Sequence, residues 1–358
     1  MKGAWFKRHS PIALDIGASR IKAVQLGWRG GQWCLEAASC VPRIEPGAPL
    51  EAEEVSRLVE VLARQGFQGR QAVVAAGDGM LLREVLDLPP ASSGAPLSEL
   101  ARVEMARINN RSPQSFEIVC WEQPPSTRTR EQSCVLATAC PHEQAETVLD
   151  ALEAGGLRVL AIEAAALSLF RACQPLLGRT ESIQGMLDLG WSGFRLVAVT
   201  QGVVCYERTL PETGLAGLMQ TISQKFNVPL AEMDVFLSAL GVTVAGQNRN
   251  GALPPDPATA EQVRSLIQTH FHTCRDDIRA TFEYVASMYP GAAVQGLLLM
   301  GGGASLLPPQ DPFGKELDLE THVVRPCELV PVANWTPWAE LPSLATAIGL
   351  AQFREDAA

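Results

Sequence analysis

Two short stretches of this sequence carry residue types that bind phosphate and a divalent cation. The first reads ALDIGASRIKAV from position 13, and the second reads MLDLGWSGFRLV from position 186. The two stretches superpose position by position: Asp15 on Asp188, Gly17 on Gly190, Ser19 on Ser192 and Lys22 on Arg195. A charged residue on an apolar strand needs a partner or a ligand, because an unpaired buried carboxylate is strongly unfavourable.

Each stretch is typical of a strand that ends in a tight turn with the pattern Asp-x-Gly-x-Ser. A glycine there lets backbone N–H groups approach phosphate oxygens closely. An aspartate beside phosphate would repel it, so we expect Asp15 and Asp188 to hold Mg²⁺ through water molecules. Two such turns facing each other would bind a triphosphate from both sides, and Lys22 would neutralise part of its charge.

A third element follows the buried strand LLLM, which runs into Gly301-Gly302-Gly303-Ala304. Three successive glycines provide a surface without side chains on which a base and a ribose could lie. In the alternative interpretation the two aspartates cap turns and the glycines form an ordinary loop. A single Asp-x-Gly arises by chance about once in a chain of this length, but two copies in matching strands favour the binding interpretation.

The elements around these turns are predicted from hydrophobic periodicity. Hairpins are expected at Gly30-Gly31 and at Gln201-Gly202, a helix from Glu163 to Cys173, and a compact α+β unit over roughly residues 80–156. A long amphipathic helix is indicated by apolar residues at three- and four-residue steps: Val263, Leu266, Ile267, Phe271, Cys274, Ile278, Phe282 and Val285.

Composition excludes several classes of protein. The net charge of −10 argues against nucleic-acid binding, which needs clustered Lys and Arg. The nine cysteines form no CxxC pair and match no metal-site spacing, which favours free thiols in a reducing cytoplasm. The uncharged run from Val285 to Gln310 contains Pro290, Pro308 and a triple glycine, so we expect no membrane span there. We also expect no signal peptide, because the apolar run after the basic residues 1–10 is interrupted by Asp15.

These three elements, in this order, resemble the phosphate and adenosine loops of the actin, Hsp70 and sugar-kinase superfamily. Within it the chain resembles the PilM family of actin-like type IV pilus assembly proteins, relatives of FtsA, over nearly its whole length. The resemblance implies an actin-like (ribonuclease H-like) two-lobed α/β fold with an FtsA-type 1C insert. It also implies ATP or ADP with Mg²⁺ at these residues: Asp15, Gly17, Ala18, Ser19, Lys22, Asp188, Gly190, Ser192, Asp234, Gly301, Gly302, Gly303 and Ala304.

The resemblance further implies four subdomains. Subdomain 1A would comprise residues 1–79, 157–180 and 341–358, and subdomain 1C residues 80–156. Subdomain 2A would comprise residues 181–214 and 291–340, and subdomain 2B residues 215–290. Two positions depart from the family pattern: Leu237 stands where a lysine is expected near the base, and Trp191 is bulky where small polar residues are usual.

By resemblance, the chain is expected to be a scaffold in the cytoplasm, held at the inner membrane through a partner. The implied partners are the cytoplasmic N-terminal tail of a PilN-like protein, bound between subdomains 1A and 1C, and other pilus assembly proteins. One alternative is a small-molecule kinase of the same superfamily, although no general-base motif is found. Another is an FtsA-like division protein, but residues 352–358 are acidic and offer no amphipathic membrane helix.

Overall fold

The structure, a computed structural model, describes residues 9–89, 93–126, 133–178, 180–242, 256–307, 313, 317–332 and 336–354. The strands of these residues are β1 Ile12–Ile16, β2 Arg20–Arg29, β3 Gln32–Pro42, β4 Gln71–Ala76, β5 Leu82–Leu88, β6 Phe116–Glu122, β7 Ser133–Pro141, β8 Arg158–Ala164, β9 Ile183–Leu189, β10 Phe194–Thr200, β11 Val203–Leu210, β12 Val294–Met300 and β13 Glu320–Val323. The α-helices are α1 Ala52–Arg64, α2 Leu97–Ile108, α3 His142–Ala154, α4 Ala165–Cys173, α5 Leu215–Phe226, α6 Met233–Ala239, α7 Pro257–Met288, α8 Pro326–Leu329 and α9 Ala345–Ala351. The C-terminal residues 355–358, which entered the argument against a membrane helix, lie outside the described residues.

Two five-stranded sheets share one topology. The strand order is β3-β2-β1-β4-β8 in the first and β11-β10-β9-β12-β13 in the second. In each, a hairpin of antiparallel strands leads into parallel pairings. We call the first sheet and its helices the first lobe, and the second sheet and its helices the second lobe. The repeat predicted from the two Asp-x-Gly stretches is therefore a repeat of whole sheets.

Both predicted hairpins are present. The turn residues Gly30 and Gly31 have φ of 55° and 87°, and Gln201 and Gly202 have φ of 53° and 75°. Two consecutive positive φ values match the right-handed twist of the flanking strands, which is why glycine is favoured in such turns.

The long amphipathic helix is also confirmed, as α7. Asp256 caps its N-terminus by accepting hydrogen bonds from the N–H groups of Ala258 and Thr259, and Pro257 occupies the first helical position. The predicted apolar face is buried in the core of the second lobe, where its residues are Val263, Ile267, Phe271, Cys274, Ile278, Phe282 and Val285.

The prediction that a helix begins at Glu163 is wrong. Strand β8 continues to Ala164, with Glu163 paired in parallel to Ala75 of β4, and α4 begins at Ala165. The Glu163 side chain accepts hydrogen bonds from Ser168 and Arg171 of α4. Tertiary contacts thus keep a residue with good helix propensity in a strand.

A third, smaller sheet with strand order β5-β7-β6 is inserted between β4 and β8. Helix α2 covers one face of it, with Met105 and Phe116 fully buried between them. Helix α3 then returns the chain to the first lobe. We call the elements from β5 to α3 the insert, and the face of its sheet that is turned away from α2 the inner face.

Two further sequence-based expectations concern membranes and thiols. Within the described residues, no helix has both the length and the apolar character needed to cross a membrane. All nine cysteines are free; five are buried, and Cys327 is exposed. Burial raises the pKa of the Cys173 and Cys205 thiols to about 12, so both stay protonated at neutral pH.

Candidate nucleotide-binding cleft

A cavity of about 540 Å³ lies between the two lobes, within the size range of small-molecule sites. Both Asp-x-Gly-x-Ser turns open into it from opposite sides. The sequence-predicted residues that line it are Asp15, Gly17, Ala18, Ser19, Lys22, Asp188, Gly190, Ser192, Asp234 and Gly302. Three others, Gly301, Gly303 and Ala304, are buried and are not among the lining residues.

The first turn places a carboxylate and an ammonium side by side. Asp15 and Lys22 are cross-strand partners on β1 and β2, and the Lys22 Nζ donates a hydrogen bond to the Asp15 Oδ2 at 3.0 Å. Burial by itself would lower the pKa of Lys22, but the carboxylates of Asp15 and Asp188 outweigh it, and the pKa lies above its ordinary value. Lys22 is therefore a fixed positive charge in the cleft.

A second layer, which the sequence did not reveal, holds this turn in place. The backbone N–H of Arg43 donates to the Ser19 carbonyl at 2.9 Å, and that of Gly47 donates to the Ala18 carbonyl at 2.8 Å. The Arg43 Nε contacts both carboxylate oxygens of Glu54, at 2.9 and 3.0 Å, and both side chains are buried. This ion pair fastens the strand end after β3 to helix α1 and so supports the phosphate turn.

The second turn repeats the arrangement with arginine in place of lysine. Asp188 and Arg195 are cross-strand partners on β9 and β10, and the Arg195 Nη1 lies 3.6 Å from the Asp188 Oδ2. The carbonyls of Gly190 and Trp191 accept hydrogen bonds from the first two N–H groups of α5, at 3.1 and 3.0 Å. The turn is thus attached to a helix N-terminus.

His270 of α7 supports the same turn through Thr213, on the side away from the cleft. Its Nε2 lies 2.9 Å from the carbonyl oxygen of Thr213, whose hydroxyl accepts a hydrogen bond from the Phe194 N–H at 3.1 Å. Burial lowers the pKa of His270, and the hydrogen bond to Thr213 opposes this effect without reversing it. A neutral imidazole that donates from Nε2 fits this contact.

The glycine run explains how closely β12 approaches the second turn. Gly301 has a φ of 85°, and a Cβ there would lie 2.3 Å from the Asp188 Oδ1 and 2.7 Å from the Leu189 nitrogen. Only glycine fits this close approach. Gly302 is exposed and opens into the cavity, so the run both supports Asp188 and presents backbone to the cleft.

The family profile described as "Type IV pilus assembly protein PilM" matches residues 13–355. The chain belongs to the PilM family. This confirms the family and the fold class predicted from the loops.

Solved structures agree with this assignment at the level of the fold. The "PilM-PilN type IV pilus biogenesis complex" superposes with a TM-score of 0.74 at 20% identity and covers 96% of this chain and 98% of that chain. The ethanolamine utilization protein EutJ from Carboxydothermus hydrogenoformans gives a TM-score of 0.55 at 14% identity and covers 97% and 90%. MreB5 of Spiroplasma citri bound to AMPPNP gives a TM-score of 0.51 at 12% identity, and the match covers 97% of this chain and 96% of that chain.

Leu237 and Trp191 both lie at the cleft. Leu237 lines the cavity and belongs to the buried core of the second lobe, and Trp191 packs partly against that same core. With Leu215 and Met219 they make this wall largely apolar. Such a wall suits the face of a flat ring, without the charge that a lysine would bring.

An ion pair joins the two lobes across the cleft. Arg20, which follows the first turn, pairs with Asp234 of α6, and each side chain is about one-third exposed. The resemblance implies a nucleotide contact for Asp234, and no sequence pattern singles out Arg20. The structure therefore gives Asp234 a partner that the resemblance did not imply.

The carboxylates in the cleft fit a metal only in combination with a ligand. Among the described residues no group of three or more metal-binding side chains is found. Mg²⁺ prefers six oxygens and usually keeps several waters beside one or two carboxylates and substrate phosphates. Asp15 and Asp188 at facing turns match that requirement, and phosphates and water would have to supply the remaining oxygens.

Proposed function

We propose that this PilM family member is an actin-like scaffold of a type IV pilus or related secretion system that binds ATP or ADP between its lobes. The observation that carries the proposal is the pair of facing turns, each with an aspartate and a basic residue in cross-strand register. Two turns of this kind can hold the phosphates of one nucleotide from both sides.

In this proposal the backbone N–H groups of Ala18 and Ser19 and of Trp191 and Ser192 face the phosphates, because those of Gly17 and Gly190 donate to the carbonyls of Arg20 and Asp188. The described lining contains four basic side chains, Arg20, Lys22, Arg43 and Arg195, and three acidic ones, Asp15, Asp188 and Asp234. Each of these basic side chains is paired with a carboxylate, so a phosphate would have to compete with Asp15, Asp188 and Asp234, and Mg²⁺ at the carboxylates would offset that competition. Asp15 and Asp188 would orient the water ligands of Mg²⁺, and Asp234 and the backbone of Gly301 to Ala304 would lie towards the ribose and base.

The partner proposed for the scaffold is the cytoplasmic N-terminal tail of a PilN-like protein, in the groove between the first lobe and the inner face of the insert. The inner face carries Val85 and Val119, which are 44% and 53% exposed. Beside them Trp121 packs against a buried cluster made of residues from both lobes. Exposed β-branched side chains next to a partly buried aromatic are suited to an apolar peptide.

The proposal also includes a position at the inner membrane and the division of the chain into subdomains 1A, 1C, 2A and 2B at the boundaries given in the sequence analysis. Binding a membrane protein's tail would hold this chain at the cytoplasmic side of the inner membrane. Other pilus assembly proteins would be recruited at further surfaces.

Calorimetry tests the nucleotide part. Mg·ATP is titrated into the purified protein: a saturating isotherm supports a nucleotide-binding scaffold, continuing heat after each injection would indicate turnover, and no heat would contradict nucleotide binding.

The partner part is tested separately with the PilN tail peptide from the same organism. V119D should abolish peptide binding, whereas V103D, at an equally exposed valine on the outer helix α2, should not. Equal loss in both variants would contradict the groove.

A further inference from the structure

Four side chains of alternating charge run from the second turn to the insert. The Arg195 Nη1 lies 3.6 Å from the Asp188 Oδ2, and its Nε lies 3.4 Å from the Glu207 Oε1. The other oxygen of Glu207, Oε2, lies 2.8 Å from the Arg83 Nε. We call Asp188, Arg195, Glu207 and Arg83 the charge relay.

The relay crosses from the cleft to the insert. Asp188, Arg195 and Glu207 lie on the adjacent strands β9, β10 and β11 of the second lobe, whereas Arg83 lies on β5 of the insert. The Arg195 and Glu207 side chains are 10% and 7% exposed. Charges removed from water this far interact strongly, because little solvent remains to screen them.

The insert also contacts β11 beside the relay. The Trp121 Nε1 donates to the Val204 carbonyl at 2.8 Å, and the Gln123 Nε2 lies 3.2 Å from the same oxygen. Strand β11 is the edge of its sheet, so these contacts and the Arg83–Glu207 pair attach the insert to that edge.

We propose that the charge relay couples metal–nucleotide binding at Asp188 to the attachment of the insert on β11. This rests on the proposed function, since it takes Asp188 as the carboxylate facing Mg²⁺. A cation at Asp188 repels Arg195 and removes its partner, so Arg195 shifts its interaction to Glu207. Glu207 then attracts Arg83 less, and the insert is held less tightly. Glu207 and Arg83 are positioning residues: neither lines the cleft.

Coupling of this kind is reciprocal. Any ligand that draws Arg83 away from Glu207 leaves Arg195 more strongly held by Glu207 and exposes Asp188 to the metal. By the same linkage, loosening the Arg83–Glu207 pair would raise the affinity for Mg·nucleotide.

The first experiment measures the affinity for Mg·ADP by calorimetry in two single variants, their combination and one control. R83Q removes the competitor for Glu207 and should tighten Mg·ADP binding by about fivefold. E207Q leaves Arg195 with Asp188 and should weaken binding by about the same factor. The double variant should match E207Q, since Arg83 acts through Glu207. R107Q removes the same charge from an exposed pair on α2 and should change nothing.

If Arg83 and Glu207 were merely structural, both R83Q and E207Q would bind Mg·ADP more weakly. Tighter binding in R83Q with weaker binding in E207Q therefore distinguishes the relay from a loss of packing. Weaker Mg·ADP binding in both single variants, or a change of the same size in R107Q, overturns the proposal. If the wild-type protein binds no nucleotide, the proposed function fails, and the second experiment decides the relay by itself.

The second experiment needs no ligand. The indole N–H of Trp121, identified among the seven tryptophans as the NMR signal lost in W121F, reports detachment of the insert through its exchange with solvent. D188N releases Arg195 to Glu207 and should speed this exchange about fivefold. D150N, at an exposed carboxylate of α3, should leave it unchanged. Equal exchange in D188N and the wild type would show that Asp188 is not coupled to the insert.

Discussion

Lys22 lies directly across the β1–β2 hairpin from Asp15 and donates to its Oδ2 at 3.0 Å. The corresponding pair in the second lobe is looser, with 3.6 Å between Arg195 and Asp188. Both Lys22 and Arg195 line the cleft, but Arg195 is shared with Glu207. The two turns are thus alike in backbone but unequal in electrostatics, and Asp188 is the carboxylate more easily separated from its cation.

Replacing Asp188 by alanine should abolish the magnesium dependence of nucleotide binding while leaving the fold intact. The reason is that the side chain lies at the cleft, whereas the hairpin that carries it is held by backbone pairing with β10 and β12. Calorimetric titrations with ADP in Mg²⁺ and in EDTA, with circular dichroism as the fold control, measure both. An unchanged affinity for Mg·ADP would mean that the second turn has been misassigned.

Replacing Gly301 by alanine should destabilise the protein more than replacing Gly291, although both have a φ close to 90°. A positive φ costs about 1–2 kcal/mol for alanine at either position. At Gly291 a Cβ meets nothing within 4 Å, whereas at Gly301 it meets Asp188 and Leu189, which adds about 1–3 kcal/mol for overpacking. Urea unfolding of G301A and G291A measures the difference, and equal values would disprove the close approach.

Breaking the Arg43–Glu54 pair should be strongly destabilising. R43M leaves the Glu54 carboxylate buried without its partner, and such a loss typically reduces the free energy of unfolding by about 3–5 kcal/mol. The matched control is R64M, because Arg64 and Glu60 form a pair that is 77% and 68% exposed and should contribute less than about 1 kcal/mol. Similar losses in both variants would contradict a supporting role for the buried pair.

His270 should make stability depend on pH below neutrality. Its pKa in the folded protein lies below the ordinary value of 6.5, so the unfolded chain takes up a proton that the folded chain does not. Stability should therefore fall as the pH drops through 6.5, until the folded-state pKa is passed. Urea unfolding between pH 7.5 and 5.5 should show a smaller decrease in H270Q than in the wild type. H272Q, at an exposed histidine of the same helix, should keep the full decrease.

Local features were the part of this structure that the sequence could predict. The hairpins at Gly30-Gly31 and Gln201-Gly202, the apolar face of α7 and the glycine run after β12 each follow from neighbouring residues and regular spacing. The resemblance of the two Asp-x-Gly stretches and the glycine run to the loops of the actin superfamily then implied the two-lobed fold, which the two matching sheets confirm.

Long-range pairs of charged residues were not predictable. Glu207 stands between Tyr206 and Arg208 on β11, and this pattern is the same whether its side chain meets water or the insert. Nor does the sequence indicate that Arg43 finds Glu54, or that Arg20 finds Asp234 across the cleft. The start of α4 was misplaced for the same reason, since Glu163 is kept in β8 by Arg171 and by its pairing with β4.

Helix α9 determines when the first lobe can complete its folding. All seven of its residues are buried, and it crosses α4 so closely that a Cβ at Gly349 would lie 1.7 Å from the Ser168 carbonyl. It closes the core beneath β1 and β2, yet it is synthesised after the entire second lobe. On the ribosome, the first sheet must wait until residues 345–351 have followed the whole second lobe before its core is complete, so the order of folding runs against the order of translation.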